Sequence, residues 1–98
     1  MKGRAEERLH NGKLIRVKVE HRDFIEKIEI SGDFSLHPPE VLKEVERNLI
    51  GVEIESAESG IADLIEDTIR EHHAILTYAT PSDIARAVKK ALLPGQET

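Results

Sequence analysis

Cysteine is absent from this 98-residue chain, and so is tryptophan. Without cysteine there is no disulfide framework, no thiolate metal site and no cysteine nucleophile; the absence suits a reducing compartment, and the cytoplasm is the expected one. Aromatic residues make up 3% of the chain, and Phe24, Phe34 and Tyr78 are all of them. The core must therefore be aliphatic. Each buried Val, Leu or Ile contributes roughly 1.5–3 kcal/mol, against an ordering cost of about 1–2 kcal/mol per residue. An isolated domain of this length is expected to be only marginally stable unless a partner adds buried area. No apolar run approaches the roughly 18 residues of a membrane-spanning helix. The N-terminal MKGRAEERLHNG carries charge but lacks the apolar segment of a secretory signal. No membrane partner is expected.

What is present is charge, unevenly placed. The formal net charge is −5. Residues 1–22 hold seven of the fourteen Lys and Arg side chains but only three of the nineteen acids, a balance of +4, which leaves −9 for the remainder. A basic end can meet an acidic partner or nucleic acid, or it can simply be a solvated chain terminus.

Leu14 to His21 reads LIRVKVEH. Ile15, Val17 and Val19 fall on one face and Arg16, Lys18 and Glu20 on the other, the period-two pattern of a strand with one wet face. In FIEKIEIS, Phe24, Ile28 and Ile30 share a face, Lys27 and Glu29 oppose it, and Ile25 breaks the alternation and is expected at an edge. The short link Arg22-Asp23 between the two runs predicts a hairpin. Pro38-Pro39-Glu40 then opens a helix carrying Val41, Leu42, Val45 and Leu49, closed by Gly51. Val52-Glu53-Ile54 is a candidate third short strand. A second helix carries the stripe Ile61, Leu64, Ile65, Thr68, Ile69, His72, with Ser56 or Ser59 as its cap. A third begins at Thr80-Pro81-Ser82-Asp83, a capping-box variant, and stops at Pro94-Gly95. The expected fold class is α+β, a small single domain with an antiparallel hairpin packed on three helices in the order ββα(β)αα.

No catalytic constellation emerges. The serines fall at loops and caps without a nucleophile signature, and the carboxylates form no evident acid–base pair. Of the five histidines, His10, His21 and His37 stand alone and suit surface or cap positions. His72 and His73 are adjacent, so on a helix they point about 100° apart, and zinc needs more ligands than they offer. Neither a catalytic nor a metal-binding residue is expected. Gly32-Asp33-Phe34, at the exit of the second strand, has one glycine and no following Lys-Ser/Thr, so it is not a phosphate loop. As plain chain reversal, Gly32 would permit a tight exit, Asp33 would satisfy loose backbone amides and Phe34 would pin the loop.

The ordered set GKLIRVKVE, FIEKIEISGDFSLHPPEVLKEVERNLIGV, IADLIEDTI and TPSDIARAV, from Gly12 to Leu92, resembles the C-terminal accessory domain of lipoate–protein ligases. Relatives often carry a second aromatic where this chain has Ser35. The family's large domain, which binds lipoate and ATP and holds the catalytic lysine, would need a far longer chain. The similarity is therefore to the free-standing small subunit of archaeal split ligases. With the accessory domain so placed at 12–93, residues 1–11 are expected to be a basic, partly flexible extension and 94–98 a tail. The resemblance implies a large catalytic subunit as partner, with lipoyl-acceptor domains met indirectly. Lipoate, ATP and Mg²⁺ would be bound in the complex and none by this chain alone. Gly32, Asp33, Phe34 and Leu36 become candidates for the partner interface, the apolar pair as anchors. Lys13, Arg16 and Lys18 become candidates for positive potential near nucleotide phosphates. The reading from a different class is a free-standing protein-interaction or nucleic-acid-binding module, although nucleic acid is not the expected partner, since the hairpin offers no stacking aromatics on its wet face.

Overall fold

Three consecutive segments alternate inward-facing small or aliphatic residues with outward-facing charged ones, and each becomes a strand: β1 (Lys2–Arg8), β2 (Leu14–His21) and β3 (Ile25–Gly32). The computed structural model describes residues 1–94, and the predicted stop at Gly95 lies outside them, as does most of the predicted tail. The strands form one antiparallel sheet in the order β1-β2-β3. Its register aligns Ala5 with Val17 and Ile30, and Gly3 with Val19 and Ile28. The aliphatic members of these rows are buried, while Lys2, Arg4, Arg16, Lys18, Lys27 and Glu29 face solvent.

The segment expected as an extension is thus largely an edge strand. Its inward residues are Gly3 and Ala5, too small to write an apolar alternation into the sequence. They are small because a helix lies directly on them: a Cβ at Gly3 would run into the carbonyl of Ala91. The hairpin of β2 and β3 is as expected, but its first turn is not. The register slips at Glu20/His21, so Glu26 is an extra residue on β3. This bulge turns Ile25 into the core, 1% exposed, and leaves Phe24 49% exposed, the reverse of the sequence expectation. His21, expected at a surface or cap, is buried, and its backbone exchanges bonds with Met1 at 2.8 and 2.9 Å.

Beyond β3 come β4 (Ser35–His37), α1 (Val41–Leu49), α2 (Glu58–Glu71), β5 (Ile75–Thr77) and α3 (Pro81–Leu92). β4 and β5 pair antiparallel as a separate two-stranded ribbon. Val52–Ile54 forms no strand: Ile25 donates to the Val52 carbonyl at 2.9 Å and Phe24 bridges Glu53, so this loop only caps the open edge of β3. Farther along that edge, the Glu46 carboxylate accepts from the Ile30 amide at 2.8 Å. Such covering blunts an edge that would otherwise invite pairing.

Helix α3 packs on β1 and β2, α1 packs on β3, and α2 lies over α1 and α3. Their buried stripes are Val41, Val45 and Leu49 in α1, Ile61, Ile65 and Thr68 in α2, and Ile84, Ala85, Ala87, Val88, Ala91 and Leu92 in α3. The capping box of α3 is complete, with the Asp83 amide donating to Thr80 Oγ1 at 3.1 Å and the Thr80 amide to the Asp83 carboxylate at 3.0 Å. Helix α2 departs from expectation. Neither serine caps it; Ala57 occupies the cap, and its carbonyl accepts from Gly60 and Ile61. The stripe also ends early, because the chain leaves the helix at His72, and both His72 and His73 are exposed. The architecture is α+β with three helices, as predicted, and richer by three strands.

Candidate functional site

Gly32, Asp33 and Phe34 lie where β3 ends beside the beginning of β2. Gly32 has φ +149°, and a Cβ there would strike the Leu14 carbonyl, so only glycine fits the exit. Asp33 then clasps Leu14 twice: its amide donates to the Leu14 carbonyl at 2.8 Å and its carboxylate accepts from the Leu14 amide at 3.0 Å. Phe34 is half-buried against the core, and Leu36, 8% exposed, sits in β4 opposite Leu76. The turn is therefore held from within, and of the two apolar candidates Phe34 keeps the larger accessible part.

Pairing of Ser35 with Thr77 brings the end of β5 alongside this turn. Tyr78 follows at φ 74°, 57% exposed, a left-handed backbone unusual for a bulky residue. Two residues of the β1–β2 connection hold it there. Asn11 Nδ2 donates to the Tyr78 carbonyl at 3.0 Å, and Lys13 Nζ lies 5.0 Å from the centre of its ring, within cation–π range. Tyr78 was absent from the sequence-based candidates. Its φ and its neighbours arise only from pairing between distant segments, and no local motif announces them. An open cleft of 480 Å³ continues from Tyr78 past Asn11, His10 and Arg8 to Asp83 and Arg86.

The three basic candidates are not brought together. Lys13 belongs to the Tyr78 cluster. Arg16 and Lys18 point from the outer face of β2, where Arg16 Nε is paired with Glu6 at 2.9 Å and Lys18 lines a 270 Å³ recess with Lys2, Arg4 and Lys27. Among the described residues no group of three His, Asp or Glu is placed to hold a metal ion, and no buried side-chain polar atom lacks a partner. A partly buried polar pairing between helices, Asn48 Nδ2 donating to Thr68 Oγ1 at 2.8 Å, is completed by Thr68 donating to the Leu64 carbonyl. It ties α1 to α2. No helix of the described residues is long and apolar enough to cross a membrane.

No family model and no curated protein matches the chain. Among solved structures, a chain from an archaeal lipoylation system, a bipartite lipoate protein ligase and its E2 lipoyl domain from Thermoplasma acidophilum, matches with a TM-score of 0.72 and 28% identity. The match covers 90% of this chain and 94% of that one, so the two are of nearly equal length. The resemblance read from Gly12 to Leu92 thus holds in three dimensions: over nine-tenths of its length the chain is similar to a component of an archaeal bipartite lipoate ligase system.

Proposed function

We propose that the chain is the non-catalytic accessory subunit of a two-component lipoate–protein ligase. It works with a large catalytic subunit in the ATP-dependent activation of lipoate to lipoyl-AMP, and hence in lipoylation of acceptor-protein lysines in the cytoplasm. The observation that carries this reading is the near end-to-end match to a chain of nearly equal length from a bipartite ligase system. In this reading ATP, Mg²⁺ and lipoate are held by the catalytic subunit. The turn at Gly32–Phe34 with Tyr78 beside it presents a rigid, partly apolar contact surface, and Lys18 is the basic candidate still available to add positive potential.

The test is reconstitution. The purified chain, the catalytic subunit, lipoate, ATP and Mg²⁺ are combined, and lipoyl-AMP and lipoylated acceptor are measured by mass spectrometry. Adenylate is expected only when both proteins are present. Adenylate formed at the same rate by the catalytic subunit alone, or formed by this chain alone, overturns the proposal.

A further inference from the structure

The outer face of the three-stranded sheet carries a group of cations that form no ion pair among the described residues. Nine of the fourteen Lys and Arg side chains engage a carboxylate, a backbone carbonyl or, for Lys13, an aromatic ring. Four of the remaining five, Lys2, Arg4, Lys18 and Lys27, meet around the 270 Å³ recess; the fifth is Arg22. None of these four has a carboxylate within ion-pair distance among the described residues, although Glu20 and Glu29 stand on the same face. Arg4 lies directly across the strand pair from Lys18. Like charges placed opposite one another destabilise a sheet, so folding alone gives no reason to keep this pair. An incoming anionic surface would.

We infer that this face, at Lys2, Arg4, Lys18 and Lys27, docks an acidic surface of a protein partner. Two features favour protein over nucleic acid. Glu20 and Glu29 interleave with the cations, Lys2–Glu20–Lys27 in one row and Arg4–Lys18–Glu29 in the next. Such a two-sign pattern repels a continuous phosphate backbone but suits a protein surface of complementary pattern, where mismatched charges exclude wrong partners. No aromatic side chain lies on the face to stack a base. On the reading proposed above, and resting on it, the partner is the catalytic subunit.

The experiment titrates the catalytic subunit with the wild-type chain, with the triple variant Arg4→Gln/Lys18→Gln/Lys27→Gln and with a charge-matched control, Lys43→Gln/Arg47→Gln/Arg70→Gln, on the helical side. Affinities are read calorimetrically at low and high salt, and folding is checked by circular dichroism. The sheet-face variant is expected to bind about tenfold more weakly at low salt, with a flatter salt dependence, while the control stays within about twofold of wild type. Equal binding by all three forms overturns the assignment of the face and leaves the ligase reading standing. A wild-type chain that does not bind the catalytic subunit overturns the ligase reading and the assignment with it. Retention on DNA or RNA, or self-association, abolished by the same triple variant gives the face to those occupants and likewise overturns the inference.

Discussion

Asp33 and Leu14 bond to each other twice, amide to carbonyl at 2.8 Å and carboxylate to amide at 3.0 Å, fastening the exit of β3 to the first residue of β2. The carboxylate bond is charge-assisted but solvent-exposed, so its loss costs less than a buried one would. Asp33→Ala is expected to lower stability by about 1 kcal/mol in chemical denaturation, and Asp33→Asn by less, since its side-chain oxygen can still accept. On the ligase reading, with Asp33 clasped to Leu14 and the contact left to its neighbours Phe34 and Tyr78, affinity for a catalytic subunit is expected to stay unchanged in the folded fraction. Binding lost with stability intact would instead make Asp33 a contact residue.

Two glycines are fixed by close approach. Gly3→Ala forces the Ala91 carbonyl, and α3 with it, off β1, and Gly32→Ala meets the Leu14 carbonyl with φ already at +149°. Overpacking of this kind costs roughly 1–3 kcal/mol, and Gly32→Ala adds backbone strain of similar size. Thermal melts should therefore rank wild type above Gly3→Ala and Gly3→Ala above Gly32→Ala. A Gly3→Ala chain melting with wild type would show that the sheet and α3 separate freely.

The hairpin of β2 and β3 and the three helices were legible because aliphatic residues mark their periods and Thr80-Pro81-Ser82-Asp83 spells a cap. β1 was not, because Gly3 and Ala5 carry its inner face without hydrophobic contrast. Ile25 and Phe24 exchanged places because one extra residue, Glu26, inverts every side chain that precedes it on the strand. The three-residue strands β4 and β5 are shorter than any period can be read from, and they exist only by pairing with each other. The turn at Gly32-Asp33-Phe34 could be read from residue types alone. Tyr78 beside it could not, since its exposure and left-handed backbone depend on Asn11 and Lys13.

The capping box of α3 closes a helix that covers both β1 and β2, so its loss should be felt globally. Thr80→Ala is expected to cost about 1 kcal/mol, and Thr80→Ser to restore most of it. Denaturant midpoints of the two variants decide the matter; equal midpoints would mean that the hydroxyl is dispensable.

Tyr78 and Phe34 separate folding from binding by opposite signatures. Tyr78 loses a cation–π contact worth about 0.5–1 kcal/mol when replaced, but its left-handed backbone costs an ordinary residue roughly 1–2 kcal/mol, which asparagine largely avoids. Tyr78→Asn should therefore leave stability within about 1 kcal/mol of wild type, or raise it slightly. Phe34, packed against the core, should lower stability by about 2 kcal/mol or more as Phe34→Ala, by loss of buried area and the gap it leaves. If the turn and Tyr78 together form the apolar contact with the catalytic subunit, Tyr78→Asn weakens the complex by at least about tenfold while the chain stays folded. A complex of wild-type affinity with Tyr78→Asn, and with Phe34→Leu as a volume-sparing second variant, would move the contact away from this corner of the domain.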